Sequence, residues 1–409
     1  MNALVSRSAP QPALVDELLM DIAVRIQLSP TLQGLAIDRA NTIAQWLQRE
    51  GSPLQGRLLR LYPQGSMAIG ATIRSKEDDD LFDIDLIAEV DWSAGTTAMQ
   101  MLLMLYRAIK GEPGSKYYAD GIVELQTRCV TIHYAEMHLD ITPMSRNPAW
   151  CERGGYIAHA KYGAPVTDHR FVPANPWGFA EDFKEKTPAE AWFAEVILRK
   201  SYGRAIRADV EPVPEHEALY RKAMAVVALQ LIKRHIYLLY ARKPKGTRRP
   251  PSVYVAESIA RNANCTRALI DELRHQVRCL QDSLKEAAQR GALIDVRNPA
   301  LWEDQLTDRW PREPLAQRIF IGELEALLRA LNDAKDETDL PKLKSKLALL
   351  FGENAAIEAV DAFLKRAGAE TRQGVSRFAP ATATALAGVS ARSPDVQSAP
   401  VRTHRFYGD

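Results

Sequence analysis

The stretch that decides the fold is Tyr62–Val90, YPQGSMAIGATIRSKEDDDLFDIDLIAEV. Gly65-Ser66 ends one β-type run and opens a helical turn. There, exposed backbone N–H groups and a hydroxyl can hold phosphate oxygens close, because glycine has no side chain in the way. Gln64 precedes the pair and is grouped with Gly65 and Ser66 as a candidate nucleotide contact. Seventeen residues after Ser66, Asp83 and Asp85 flank Ile84 within an apolar run. The period of two in a strand puts both carboxylates on one face and Ile84 toward the core.

Two like charges side by side repel, and the pair is costly unless a cation neutralises it. Hard oxygen ligands in this arrangement suit Mg²⁺, with substrate phosphates completing the shell. EMHLDITPM, residues 136–144, supplies a third carboxylate, since Asp140 lies on the face opposite Leu139 and Ile141. Three carboxylates can hold two divalent ions, one lowering the pKa of an attacking hydroxyl and one stabilising a leaving pyrophosphate. Asp83 and Asp85 are assigned to both ions and Asp140 to the one beside the hydroxyl, whose proton it can accept. Asp78, Asp79 and Asp80 read as a solvated acidic loop. His138 shares the face of Asp140 and reads as a polar neighbour, and His133, His159, His169 and His235 show no zinc spacing.

Away from this stretch, 409 residues with 46% apolar and 25% charged side chains predict two packed units with ample core. A net charge of +2 excludes a chain-wide polyanion-binding surface, so any basic site is local. Cys129, Cys151, Cys265 and Cys279 are scattered without C-x-x-C spacing, and MNALVSRSAP lacks a signal peptide's apolar centre; a reducing cytoplasm is the expectation. The longest apolar stretch, MAVVALQLIKRHIYLLY, is interrupted by Lys233, Arg234 and His235, which argues against a membrane span.

The order of elements predicts an α/β chain. Two helical patterns open it, the second capped at Ser29-Pro30, and they are expected to pack as a pair. Short β-type runs from Arg57, interrupted by the helix TTAMQMLLMLYRAIK, predict a mixed sheet with helices on one side. Residues 147–188, rich in Pro, Gly, Asn and aromatics, read as an ordered crossing loop. Helical patterns follow to about Arg372, and then Ala, Ser, Thr, Pro and Val without a core face. The expected division is residues 1–186 as helices and catalytic core, 187–372 as a helical domain, and 373–409 as a disordered tail.

The Gly-Ser turn, Thr72-Ile73, Asp83-Ile84-Asp85 and Asp140 before Thr142-Pro143 together resemble the DNA polymerase β-like nucleotidyltransferases. The closer likeness is to the bacterial cGAS/DncV-like enzymes, the CD-NTases of anti-phage CBASS systems. It covers about residues 10 to 370 and implies a nucleotidyltransferase core followed by an oligoadenylate-synthase-like helical domain. LQLIKRH is similar to the family's helix whose lysine reaches nucleotide phosphates, here Lys233, and PPSVYVAES is similar to a segment placing Ser252 near them. Where the family has an aromatic directly after that serine, this chain has Val253 and then Tyr254, which speaks against base stacking by Tyr254. The link ARKPKGTRRPP carries Lys243, Lys245, Arg248 and Arg249 toward a triphosphate entrance.

The resemblance implies two Mg²⁺ ions (Mn²⁺ as a substitute), ATP and GTP as substrates, and a cyclic oligonucleotide read by a separate effector. A likeness to clade D implies a trinucleotide, with a dinucleotide left open. Neither a membrane nor a long nucleic acid is required. An activating or ubiquitin-transfer-like partner acting on the tail, which ends Tyr407-Gly408-Asp409, stands beside a tail that is only a spacer. The rival functions are an RNA- or antibiotic-modifying nucleotidyltransferase on the same core and a catalytically silent nucleotide sensor.

Overall fold

The computed structural model describes residues 13–74, 81–190, 222–263 and 268–372, parts of 193–200, and short strands at 377–379, 384–386 and 399–400. Asp78–Asp80 and the terminal Tyr407-Gly408-Asp409 lie outside the described residues.

Helices α1 (Leu14–Ile26) and α2 (Pro30–Leu47) lead into β1 (Leu58–Pro63), the single turn α3 (Gly65–Ala68), β2 (Phe82–Val90) and α4 (Ala98–Lys110). Next come β3 (Val123–Leu125), β4 (Val130–His133), β5 (Met137–Arg146), β6 (Gly155–His159), β7 (Arg170–Ala174) and α5 (Pro176–Lys186). The sheet runs β1-β2-β5-β4-β3, with β6 added to β5 and β7 to β6; among the described residues only the β2/β5 pairing is parallel. Phe82, Ile84, Leu86 and Ala88 of β2 join Leu139 and Ile141 of β5 in a core with Ile43 and Leu47 of α2 and Leu105 and Ile109 of α4. One sheet face is thereby sealed by helices, and alternation sends the odd-numbered residues of β2, Asp83 and Asp85 among them, to the other.

Residues 147–188 differ from the loop expected of them, for they hold β6, β7 and α5. Their strands are five residues long and lack polar/apolar alternation, so periodicity could not find them. Two local signals were present. Asn175 caps α5, its side chain accepting from Gly178 N at 2.9 Å with Pro176 following. Gly155 lies so close to β5 that a Cβ would stand 2.2 Å from Ser145 O.

The helical part comprises α6 (Met224–Ala241), α7 (Ser252–Arg261), α8 (Leu269–Gln289), α9 (Pro314–Lys335), α10 (Leu340–Phe351) and α11 (Glu353–Arg372), with the short hairpin β8 (Arg297–Asn298) and β9 (Leu301–Gln305) before α9. Its core contains Leu18, Leu19 and Ile22 of α1 together with Leu229 and Ile232 of α6 and Leu273 and Val277 of α8. The expected α1–α2 pair is therefore corrected: α1 packs against α6, α8 and α11, while α2 covers the sheet. The reason is burial on nearly every side of α1, including Asp16, whose carboxylate accepts from Ile270 N at 2.8 Å; a two-helix pair would leave half of that surface in water.

Helix α6 is long and apolar enough to cross a membrane by length and composition, yet 72% of that span is buried within the protein. It serves as the central helix of the helical core. The described part of the tail, Arg377–Ala379, Thr384–Leu386 and Ala399–Pro400, pairs as a small antiparallel sheet, where an aperiodic composition had predicted no regular structure.

Candidate active site

The parallel register of β2 and β5 sets Asp85 opposite Asp140 and Asp83 opposite His138. All three aspartates line one cavity. Asp140 is half-buried, and Thr131, its antiparallel partner on β4, donates Oγ1 to its Oδ1 at 2.5 Å. Desolvation pushes the Asp140 carboxyl above the usual carboxylate range, the Thr131 hydrogen bond opposing and the charge of Asp83 adding to it. Asp85 is raised further, to about 7, by desolvation and then by the charges of Asp140 and Asp83, with Lys233 pulling the other way. Oxygen donors that repel one another across a half-buried sheet face are relieved by a proton or a hard divalent cation. The donor set thus fits such a cation in its chemistry. Among the described residues no three His, Cys, Asp or Glu side chains are already gathered at metal-binding spacing, so the carboxylates must turn toward a cation to share it.

Beside Asp85 stands the phosphate-binding candidate. Gly65 has φ +54, and a Cβ there would meet Asp85 Oδ2 at 2.9 Å, so the position excludes a side chain on two counts. The turn is tied to β2 by Gln64 N, which donates to Asp85 O at 2.9 Å. The Gln64 side chain donates to Thr142 Oγ1 at 3.2 Å, bracing β1 against β5 rather than facing the cavity. Ser66 Oγ and Thr72 Oγ1 share a hydrogen bond of 3.3 Å, and Ala71 N closes back on Ser66 O at 2.7 Å.

The cavity measures about 790 Å³. Ser252, at the start of α7, lines it with Arg248 and Arg249 of the preceding link; Lys243 and Lys245 do not, and Lys243 pairs with Glu323 at 2.5 Å. Lys233 stands behind the wall, its Nζ donating to Ala71 O at 2.8 Å. Burial lowers its pKa to about 8 against the attraction of Asp85. Tyr254 is 1% exposed and stacked on Trp310 at 5.9 Å, which removes it as a base platform. His138 and His133 hydrogen-bond through their Nδ1 atoms at 2.9 Å, and His133 continues to Glu124.

Cavity residues missed in the sequence include Tyr237, Tyr240, Arg309 and Trp310. Tyr237 and Tyr240 follow Lys233 by four and seven positions on α6, so helical spacing from that lysine would have found them. Arg249 lies over the Tyr237 ring at 3.8 Å. Arg309 sits in the segment after β9, which carries no motif.

Residues 15–186 match the family described as the Second Messenger Oligonucleotide or Dinucleotide Synthetase domain. The chain is 38% identical over 399 residues to the cyclic dinucleotide synthase CdnG of Bradyrhizobium diazoefficiens, covering 93% of each chain. It is 20% identical over 401 residues to a c-di-GMP synthase of Roseivirga ehrenbergii, covering 97% of each. The solved structure of the Bradyrhizobium CdnG in complex with GTP superposes with a TM-score of 0.74 at 36% identity, over 86% of this chain and 99% of that one. A complex of the Escherichia coli MS115-1 CdnC with HORMA shares the fold at a TM-score of 0.54 and 14% identity, over 82% of this chain and 96% of that one.

Proposed function

Because the chain belongs to the bacterial cGAS/DncV-like nucleotidyltransferases, or CD-NTases, we propose that it joins two nucleoside triphosphates, GTP among them, into a cyclic dinucleotide. The observation that carries the reading is the set of Asp83, Asp85 and Asp140 on one sheet face, with Gly65 pressed against Asp85 and all three carboxylates opening on one cavity. In each step a ribose hydroxyl oxygen bonds to the α-phosphorus of a second nucleotide and the Pα–O–Pβ bond breaks. Pyrophosphate leaves, and the hydroxyl proton passes to Asp140 or to water. A second such step closes the ring.

Asp83, Asp85 and Asp140 are the residues that would hold divalent cations, two Mg²⁺ in our reading with Mn²⁺ as a substitute. Bound there, the cations supply neutralisation of the phosphates and acidification of the hydroxyl. The N–H groups and hydroxyl at Gly65-Ser66 orient the donor phosphates, Ser252 meets them from the helical side, and Lys233 supports the turn through Ala71. Of the two ring sizes left open, the dinucleotide is favoured over the trinucleotide of clade D by the likeness to CdnG, a cyclic dinucleotide synthase. ATP remains the second substrate in this reading. A cytoplasmic setting, anti-phage defence and a separate effector that reads the product belong to the same proposal, as does a partner acting on the tail.

The test is incubation with ATP, GTP and Mg²⁺ and mass spectrometry of the products. Cyclic dinucleotide with pyrophosphate release is expected, and absence of both overturns the reading. Asp83→Asn with Asp85→Asn should fold normally and lose on the order of a thousandfold or more in turnover.

A further inference from the structure

Besides the three carboxylates, the charged lining of the cavity is a basic wall made of Arg248, Arg249 and Arg309. Arg309 is held from both sides. Its neighbour Asp308 forms an ion pair with Arg128, which precedes β4 and also donates Nε to His159 Nδ1 at 2.8 Å. Its other neighbour Trp310 is 2% exposed, stacked on Tyr254 and edge-on to Phe320 at 5.5 Å. Arg248 donates Nη1 to Arg309 O at 3.3 Å. The pair Arg128–Asp308 thus spans from the sheet to the segment that carries Arg309.

This wall is electrostatically costly as it stands. Burial lowers the pKa of Arg309, and the charges of Arg128, Arg248 and Arg312 lower it further, Asp308 alone opposing among the leading influences. The Cys129 thiol feels both sets of charges, pushed up by burial and by Asp140 and Asp85 and pulled down by its Thr131 hydrogen bond and by Arg309. Guanidinium groups crowded at a cavity wall are relieved by a polyanion, to which their fork of N–H donors fits bidentately.

The reaction brings two triphosphates into one cavity. Cations on the aspartates would serve the donor, whose α-phosphorus is attacked. The phosphate chain of the acceptor takes no part in the first bond, and the charged side chains left to meet it in the cavity are Arg248, Arg249 and Arg309. We propose that Arg309, with Arg248, grips the 5′-phosphates of the acceptor nucleotide, and that Arg128 and Asp308 are positioning residues for Arg309. The assignment rests on the nucleotidyltransferase reading above. It makes the enzyme select an acceptor by its phosphates, so that chains start at a triphosphate and not at a bare nucleoside.

The experiment supplies ATP and GTP with excess guanosine and Mg²⁺, and counts by mass spectrometry the dinucleotides that begin at unphosphorylated guanosine against those that begin at a triphosphate or are cyclic. The native enzyme should make few of the former. In Arg309→Gln their share should rise about tenfold to a hundredfold, the worth of a lost charged hydrogen bond or two, while thermal unfolding stays within a few degrees of native. Arg309→Lys should fall between the two, and Asp308→Asn should raise KM for the triphosphate acceptor with little change in kcat at saturation. An unchanged share in a folded Arg309→Gln enzyme overturns the acceptor assignment alone. A native enzyme that forms no phosphodiester bond overturns the function and this inference with it.

Discussion

Asp85 shows how one side chain carries two opposed demands. With its carboxyl raised to about 7 by desolvation and by Asp140 and Asp83, the folded cation-free protein binds a proton that the unfolded chain releases near the ordinary carboxylate pKa. Folding stability should therefore fall as pH rises from about 4 to about 7. Asp85→Asn removes the liability. In a chelator it should melt above the native protein at pH 8, by an amount on the order of a few kcal/mol, and the advantage should vanish near pH 4. Adding Mg²⁺ at pH 8 should raise the melting temperature of the native protein and leave the variant almost unmoved. A variant less stable than native at pH 8 would remove the like-charge account of the site. Gly65 bears on the same carboxylate. Gly65→Ala meets a left-handed backbone, which costs roughly 1–2 kcal/mol, and sets a methyl 2.9 Å from Asp85 Oδ2. Turnover should drop on the order of a hundredfold because small misplacements of a reacting group are expensive. Urea unfolding and pyrophosphate release measured on one sample would separate the two effects; activity that only tracks stability would mean Asp85 had not moved.

Elements differ in how openly a sequence displays them. The strand that carries Asp83 and Asp85 alternates over Phe82–Asp85 before becoming buried on both faces, so the directions of those two carboxylates were legible, as was that of Asp140 between Leu139 and Ile141. Helix α2 announced itself through Ser29 and Pro30, and Ser29 Oγ does accept from Leu32 N at 3.3 Å. Strands β6 and β7 were not legible, because what makes Gly155–His159 a strand is the backbone of Ser145 beside it, a partner distant in the reading frame of any periodicity. Arg309 was hidden for the same reason: its place on the cavity depends on Asp308 meeting Arg128, 180 residues away. The dependence of β6 on close approach is testable. Gly155→Ala puts a Cβ 2.2 Å from Ser145 O and 2.9 Å from the Met144 methyl, and should cost about 2–3 kcal/mol by overpacking. Gly322→Ala in α9, whose new methyl meets nothing within 4 Å, should instead gain about 0.5–1 kcal/mol. Urea midpoints for the two variants should move in opposite directions; a shared sign would show that backbone freedom, and not contact with β5, governs position 155.

At the scale of the whole molecule the two units are interlocked by the chain itself. The N-terminal helix α1 precedes the catalytic sheet but lies in the helical core, where Leu18, Leu19 and Ile22 pack with Leu229, Ile232 and Leu273. Polar ties follow the same route: Arg25 pairs with Glu358 at 2.6 Å, and Arg366 with Asp21 of α1. The helical unit in turn grips the loop beyond the phosphate-binding turn, through Lys233 on Ala71 O, Gln230 on Thr72 O at 3.2 Å and Arg234 on Arg74 O at 3.1 Å. A cut near residue 187, where composition alone would divide the chain, therefore removes a core helix from the part it leaves behind. We expect a fragment of residues 187–372 to lack cooperative thermal unfolding and to be digested rapidly, because the groove vacated by α1 exposes apolar surface worth about 1.5–3 kcal/mol for each large side chain left unburied. Joining residues 13–28 to that fragment through a flexible linker should restore a cooperative transition by circular dichroism, since α1 returns as an intramolecular partner at high effective concentration. A bare 187–372 fragment that unfolds cooperatively would show that α1 is carried by the helical core without being needed for it, and the lobes could then move independently around the aspartates.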